Sequence, residues 1–187
     1  VNDPSSWKEA AISDEALAKL SLFVDLILEW NARINLTGFR TRTEIEEKLI
    51  GESMATLRVV PISGKSILDF GSGAGIPGLV WAACDGTARV TSLEIRQKKV
   101  AFQKEALRTT GINAEIVLGR FPEAVTDRRF DVIVTRAIRF SPSLWTAAET
   151  LLAPGGCFVR FAIPGSSEEG WTAFPVSAGT TLLIRKP

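Results

Sequence analysis

The apolar positions change their rhythm along the chain. Over residues 13–30, Leu17, Leu20, Val24, Ile27 and Leu28 recur with helical spacing and Phe23 widens the stripe, which predicts an amphipathic helix. Ser13 is suited to cap it, and Asp14 and Glu15 place negative charge where the helix dipole favours it. Trp30–Gly38 is polar and turn-prone. A second helix is expected from Thr43, since Thr43 and Glu46 have capping-box spacing, with Ile45, Leu49 and Ile50 turned inward. Pro61 and Gly64 then break the chain. Beyond residue 64, short, nearly continuous apolar runs take over: 66–70, 89–93, 114–118, 131–135, 157–161 and 180–184. Helical stretches at 76–84, 96–110 and 143–153 separate most of them. Strands of that texture alternating with helices predict a parallel sheet covered on both faces, with right-handed crossovers. Runs at 171–177 and 180–186 are parted only by Ala178 and Gly179, so the sheet should finish in an antiparallel hairpin. The expected fold is a doubly wound α/β sheet (64–187) behind a small helical N-terminal region (1–63).

Composition narrows the chemistry. The 187 residues are 45% hydrophobic and 23% charged, as in ordinary folded domains. The net charge of +1 hides an uneven distribution: residues 1–63 carry −3 and residues 64–187 carry +4, so an anionic partner must be met by a local patch. The absence of histidine excludes Ser-His-Asp triads, Cys-His dyads and His-bearing zinc sites. Cys84 and Cys157 are too distant in sequence for a CxxC motif and read as small buried hydrophobes of a reduced, cytoplasmic chain. No apolar run reaches the ~20 residues a membrane span requires.

The most informative segment is Asp69-Phe70-Gly71-Ser72-Gly73-Ala74-Gly75-Ile76-Pro77-Gly78, between the first strand and first helix of the sheet. Open α/β sheets bind ligands outside the carboxyl ends of their strands, and glycines at alternate positions let backbone N–H groups come close to one. The segment formally satisfies the dinucleotide pattern, with Glu94 about 20 residues on to grip a ribose. Asp69 weighs against a nicotinamide cofactor, because it would repel a pyrophosphate. An N-terminal helical arm and a C-terminal hairpin are instead familiar from S-adenosylmethionine-dependent methyltransferases, whose cofactor carries an ammonium and a sulfonium that a carboxylate favours. Glu94 can accept both ribose hydroxyls.

Several motifs then converge. Trp30-Asn31-x-x-Ile34-Asn35-Leu36-Thr37, Gly71-Ser72-Gly73-Ala74-Gly75-Ile76-Pro77-Gly78, Lys98-Lys99-x-x-Phe102, Gly119-Arg120 and Thr135-Arg136-Ala137 make the chain resemble the small-subunit ribosomal RNA methyltransferase G family, also called glucose-inhibited division protein B, over about residues 17–160. The resemblance implies a seven-stranded Rossmann-like methyltransferase sheet and transfer of the methyl of S-adenosylmethionine to N7 of a guanine in 16S ribosomal RNA. By position it implies that Asp69, Gly71, Ser72, Gly73, Gly75 and Ile76 line the cofactor, Glu94 holds the ribose, Phe121 and Pro122 border the adenine, and Arg136 faces cofactor and substrate. Asn35, Lys48, Arg136 and Arg139 fall on the substrate side. Ribosomal RNA is the implied partner, with no DNA, no membrane and a monomeric state. Guanine N7 has an available lone pair, so alignment can carry the reaction without a general base, in keeping with the missing histidine.

The chain departs from the family in two places. Leu49 in Lys48-Leu49-Ile50-Gly51-Glu52-Ser53 stands where a histidine is usual, and Ala162-Ile163-Pro164 replaces a lysine after the fifth strand. The helix between the fifth and sixth strands is also missing from the sequence. Arg160, one residue from the wrong face, cannot substitute for that lysine without a register shift. A divergent paralogue with another substrate and a non-catalytic binding module are the rival readings. For RNA contact, Arg33, Arg40 and Arg42 flank the Asn-Leu-Thr element and Arg128, Arg129, Arg136 and Arg139 group around the fourth strand, whereas Lys98, Lys99, Lys104 and Arg108 are expected on the outer face of a helix.

Overall fold

The computed structural model describes residues 12–139 and 141–187. Helix α1 (Asp14–Asn31) begins where its sequence signals place it, with the Ser13 hydroxyl accepting from Ala16 N–H. The next helical segment starts earlier than expected. Helix α2 (Arg42–Ile45) is capped by Thr41, whose side chain and Glu44 form the reciprocal box. The chain reads Thr-Arg-Thr-Glu-Ile-Glu, two interleaved boxes, and the structure uses the first. A π-helical stretch (Glu46–Gly51) follows, then α3 (Glu52–Ala55) and one 3₁₀ turn (Thr56–Arg58). Ile45, Leu49 and Ile50 are buried, as the spacing requires.

Seven strands form one sheet: β1 (Ser66–Phe70), β2 (Arg89–Glu94), β3 (Glu115–Leu118), β4 (Phe130–Thr135), β5 (Leu152–Ala162), β6 (Thr172–Ser177) and β7 (Thr180–Arg185). Their order is β3-β2-β1-β4-β5-β7-β6. The first five are mutually parallel, and β7 runs antiparallel to both β5 and β6, closing the expected hairpin with Ser177 opposite Thr180. Helices α4 (Gly78–Cys84) and α5 (Gln97–Thr110) pack on one face with α1, sharing a core that includes Phe23, Ile27, Leu79, Trp81 and Phe102. Trp81 is fully buried, and its indole N–H donates to Ser53 O at 2.9 Å and Thr56 Oγ1 at 3.1 Å, tying α3 to α4.

Helix α6 (Pro142–Leu151) covers the other face. The connection from β5 to β6 contains no helix, and aromatic side chains fill its place. Trp171 packs edge-on to Trp145 at 6.2 Å and against Phe158 at 5.6 Å, and the Arg185 guanidinium lies 4.2 Å from the Trp145 ring centroid. Cys84 and Cys157 are free thiols. Among the described residues, no helix is long and apolar enough to cross a membrane.

Candidate cofactor and substrate cleft

The strand order reverses between β1 and β4, which makes the crevice beyond their carboxyl ends the natural ligand site of this sheet. The glycine loop lies there. Gly71 has φ 65°, the left-handed conformation that favours glycine, and a Cβ there would come within 2.7 Å of Ile138 Cδ1 on the segment after β4, so a larger residue would also have to displace that side chain. Gly78 is equally constrained, since its Cβ would meet the Asp69 carboxylate at 2.8 Å.

Asp69 therefore lies beneath the loop rather than along its open side. It is fully buried, and its Oδ2 accepts from Gly78 N–H at 2.8 Å, capping α4 from below. Burial, reinforced by the nearby Glu94 charge, pushes its pKa up to about 7 against the opposing Gly78 bond and the Arg136 charge. Oδ1 has no hydrogen-bond partner. Ser72 is also turned inward. Its hydroxyl accepts from Gln103 Nε2 at 2.9 Å and lies 2.7 Å from Ser92 Oγ, while Gln103 also donates to Gly73 O at 2.8 Å. Ile76 packs into the core. Ser72 and Ile76 can thus serve the cleft only through their backbone, and Asp69 only from below.

Glu94 ends β2 facing the loop. Its Oε2 accepts from Gly73 N–H at 2.8 Å, and its Oε1 from Ile95 and Arg96 N–H at 2.9 Å each. A carboxylate offers about four acceptor positions, so Oε2 keeps one for an incoming hydroxyl. Ile95 and Leu118, at the ends of β2 and β3, are half exposed and give this side an apolar rim that the sequence reading did not single out. Phe121 stacks on Phe70 with centroids 4.3 Å apart and stays partly exposed beside Pro122.

On the β4 side, Arg136 Nη2 donates to Glu52 Oε2 at 2.8 Å and to Lys48 O at 2.6 Å, and its guanidinium lies 5.0 Å from the Phe161 ring centroid. Burial lowers its pKa, opposed by Glu52. Arg136 Nη1 is buried without a hydrogen-bond partner. The π-helical stretch supplies Lys48 and leads straight into Glu52. Ala137, next in the chain, has φ 61°, an uncommon conformation for a residue other than glycine, and such outliers gather at functional sites. Arg139 follows in the same turn and is exposed.

Other expectations need correction. Arg128 and Arg129 precede β4 whereas Arg136 and Arg139 follow it, so a strand of six residues, about 20 Å long, sets the two pairs at opposite ends. Arg128 is paired with Glu115. Asn35 is exposed, and Asn31 orders its segment: Oδ1 accepts from Leu36 and Thr37 N–H, and Nδ2 donates to Phe39 O. Arg160 reaches Glu168 and the Trp171 ring, on the face opposite Phe161 and Arg136, as strand alternation requires. Lys98, Lys104 and Arg108 are exposed, but Lys99 is not on the outer face. Its Nζ donates to Leu36 O at 3.4 Å and lies 3.6 Å from the position of a Cβ on Gly73. Lys99, Gln103, Ala106 and Thr110 share one helical stripe, and that spacing would have revealed it.

Together, this sheet and loop define the Rossmann-like class of S-adenosylmethionine-dependent methyltransferases. Solved structures agree on the fold. An RNA methyltransferase from Salinibacter ruber in complex with S-adenosyl-L-homocysteine aligns with TM-score 0.60 at 20% identity, over 71% of this chain and 88% of that one. The Thermus thermophilus 16S rRNA N2 G1207 methyltransferase, in complex with AdoMet and guanosine, aligns with TM-score 0.57 at 19% identity, over 97% of this chain and 45% of that one. The sequence goes further: residues 16–170 match the family described as rRNA small subunit methyltransferase G. The ribosomal RNA small subunit methyltransferase G of Geobacter sulfurreducens is 36% identical over 161 residues, 84% of this chain and 74% of the relative. That of Wolinella succinogenes is 33% identical over 167 residues, 87% and 86% respectively. The chain belongs to the rRNA small subunit methyltransferase G family.

Proposed function

We propose that this protein transfers the methyl group of S-adenosylmethionine to N7 of a guanine in small-subunit ribosomal RNA. When bound, the cofactor supplies an electrophilic methyl carbon. The observation that carries the reading is a pair of buried polar atoms lacking hydrogen-bond partners, the acceptor Asp69 Oδ1 and the donor Arg136 Nη1, at the glycine loop and at the end of the adjacent strand. Leaving such groups unmatched is costly; from beneath the loop the Asp69 carboxyl favours an ammonium-bearing cofactor above it, and Arg136 lies on the side where a base rich in acceptors would approach.

In this reading Gly71, Gly73 and Gly75 admit the ligand to the loop backbone, and Glu94 Oε2 accepts from the ribose. Ile95, Leu118 and Phe121 with Pro122 bound the adenine. Arg136, oriented by Glu52, presents Nη1 to an RNA acceptor such as guanine O6 or a phosphate. A donor on O6 leaves the N7 lone pair free, and orientation alone then suffices. Lys48, Asn35 and Arg139 border the RNA side, with the helical segments of residues 12–63 forming its wall and 64–187 the cofactor domain. The protein acts as a cytoplasmic monomer.

The test is incubation with radiolabelled S-adenosylmethionine of small ribosomal subunits and, separately, of other RNAs and a small-molecule panel, followed by mass mapping of any labelled RNA. Label at one guanine N7 is expected. Label only on another RNA or a small molecule would support a divergent paralogue, and cofactor affinity with no transfer at all would identify a binding module.

A further inference from the structure

The edge of the sheet opposite the cofactor cleft carries a cavity of its own. It is half-enclosed, about 570 Å³ in volume, and lies among the amino ends of β4, β5 and β6 and the carboxyl end of β7. That volume falls in the range of small-molecule sites. The length of β4, about 20 Å, separates it from the end that carries Arg136. Its apolar walls are Val59, Val60, Val132, Cys157, Phe174 and Ile184. Val60 and Val132 are buried, and the other four are partly exposed towards the opening. Register explains the grouping: Val132 pairs with Cys157, and Ile184 pairs with Val159 and Thr172, which puts these side chains on the face that bears α1 and α4. Of residues 12–63, only Val59, Val60 and Pro61 reach this corner, so the apolar face is left open there.

The charged groups of the cavity indicate what it takes. Lys65 and Asp131 match each other at 3.3 Å, and Asp131 also accepts from Ser66 N–H at 2.8 Å. Lys186 lines the same cavity and joins no ion pair among the described residues. Both lysines and Asp131 act electrostatically on the Cys157 thiol, so the charges converge on one point of the wall. Burial raises the pKa of that thiol, which keeps it neutral at pH 7; it adds soft apolar surface and does not repel an anion. One unmatched cation beside aliphatic walls suits a single negative charge on an apolar body. A phosphate of RNA offers no such body, and a neutral hydrocarbon leaves the cation unused. We infer that this cavity binds an apolar monocarboxylate, an alkanoate of medium chain length, with its head at Lys186 and its chain among Val60, Val132 and Ile184. The distance from the glycine loop makes this binding independent of the cofactor.

The test uses calorimetry of the full chain with hexanoate, octanoate and octanol. Octanoate should bind about tenfold tighter than hexanoate, since each buried methylene contributes roughly three- to fourfold. Lys186→Glu, a change at an exposed position that leaves the fold intact, should weaken octanoate about fivefold or more and leave octanol within about twofold. Saturating S-adenosylhomocysteine should not alter the octanoate affinity. A second measurement locates the ligand: octanoate should slow alkylation of Cys157 by iodoacetamide at pH 8.5 without slowing that of Cys84, read by peptide mass mapping. Cys157→Phe, which fills the cavity, should abolish octanoate binding; if that variant folds poorly, the Lys186 variant and the alkylation rates decide the matter. Neither heat nor protection with octanoate would overturn the inference. Equal affinity for octanoate and octanol, or no response to Lys186→Glu, would overturn the carboxylate assignment. Displacement of octanoate by S-adenosylhomocysteine would overturn the location, placing the ligand in the cofactor cleft.

Discussion

Asp69→Asn isolates the electrostatic cost of the acid beneath the glycine loop. In the unfolded chain this carboxyl titrates near 3.8, whereas burial raises it to about 7 in the folded protein. The folded state therefore holds its proton more tightly, and the associated stability is fully present below pH ~4 and is lost as pH rises towards 7. The difference of about three pKa units corresponds to roughly 4 kcal/mol of destabilisation at pH 8.5 relative to pH 4, an upper value because the fold can relax around the charge. Asparagine keeps an acceptor for Gly78 N–H and removes the ionisation. The expected result in urea unfolding is a variant already more stable than the parent by roughly 1–2 kcal/mol at pH 5, with the gap widening to roughly 4 kcal/mol at pH 8.5. A stability difference independent of pH, or a variant less stable at pH 8.5, would refute the reasoning, because the carboxylate would then have a compensating partner. Affinity for S-adenosylhomocysteine should move the opposite way, weakening in the variant as the favourable charge is lost.

Other expected outcomes follow from the same geometry. Gly73→Val places a branched side chain at φ 60° beside Lys99; the protein should fold with about 1–2 kcal/mol of strain and lose roughly 100-fold or more in S-adenosylhomocysteine affinity by calorimetry, and an unchanged Kd would remove Gly73 from the cleft. Arg136→Met leaves Glu52, only 5% exposed, as a buried unpaired carboxylate; denaturant unfolding should show a loss of about 3 kcal/mol, largely recovered in the double variant with Glu52→Gln, and no recovery would mean that the pair is not the source. Trp81→Phe keeps most of the packing but removes the indole donor to Ser53 O and Thr56 Oγ1, and since Ser53 O still accepts from the Thr56 hydroxyl the cost by thermal unfolding should be only about 1 kcal/mol.

The sheet was legible because parallel strands buried on both faces read as continuous apolar runs, and the hairpin because only Ala178 and Gly179 separate its strands. Helix α1 was legible from Ser13 and its stripe. The glycine loop and Glu94 could be placed from spacing alone, since both sit at strand ends. Side-chain direction was harder to read. Asp69 and Ser72 face below the loop because strand alternation and the Gln103 amide draw them inward, and neither effect is visible in a linear motif. Interleaved capping boxes concealed the start of α2, and a π-helical stretch has no periodicity to announce it. The arginines around β4 were grouped by sequence distance, which ignores that a strand separates its two ends in space.

The most direct test is a crystal structure of the protein with S-adenosylhomocysteine bound. The nucleoside should lie against Gly71–Gly75 with a ribose hydroxyl on Glu94 Oε2 and its sulfur facing Arg136. A ligand bound elsewhere, or a loop still closed against it, would contradict the assignment of this cleft.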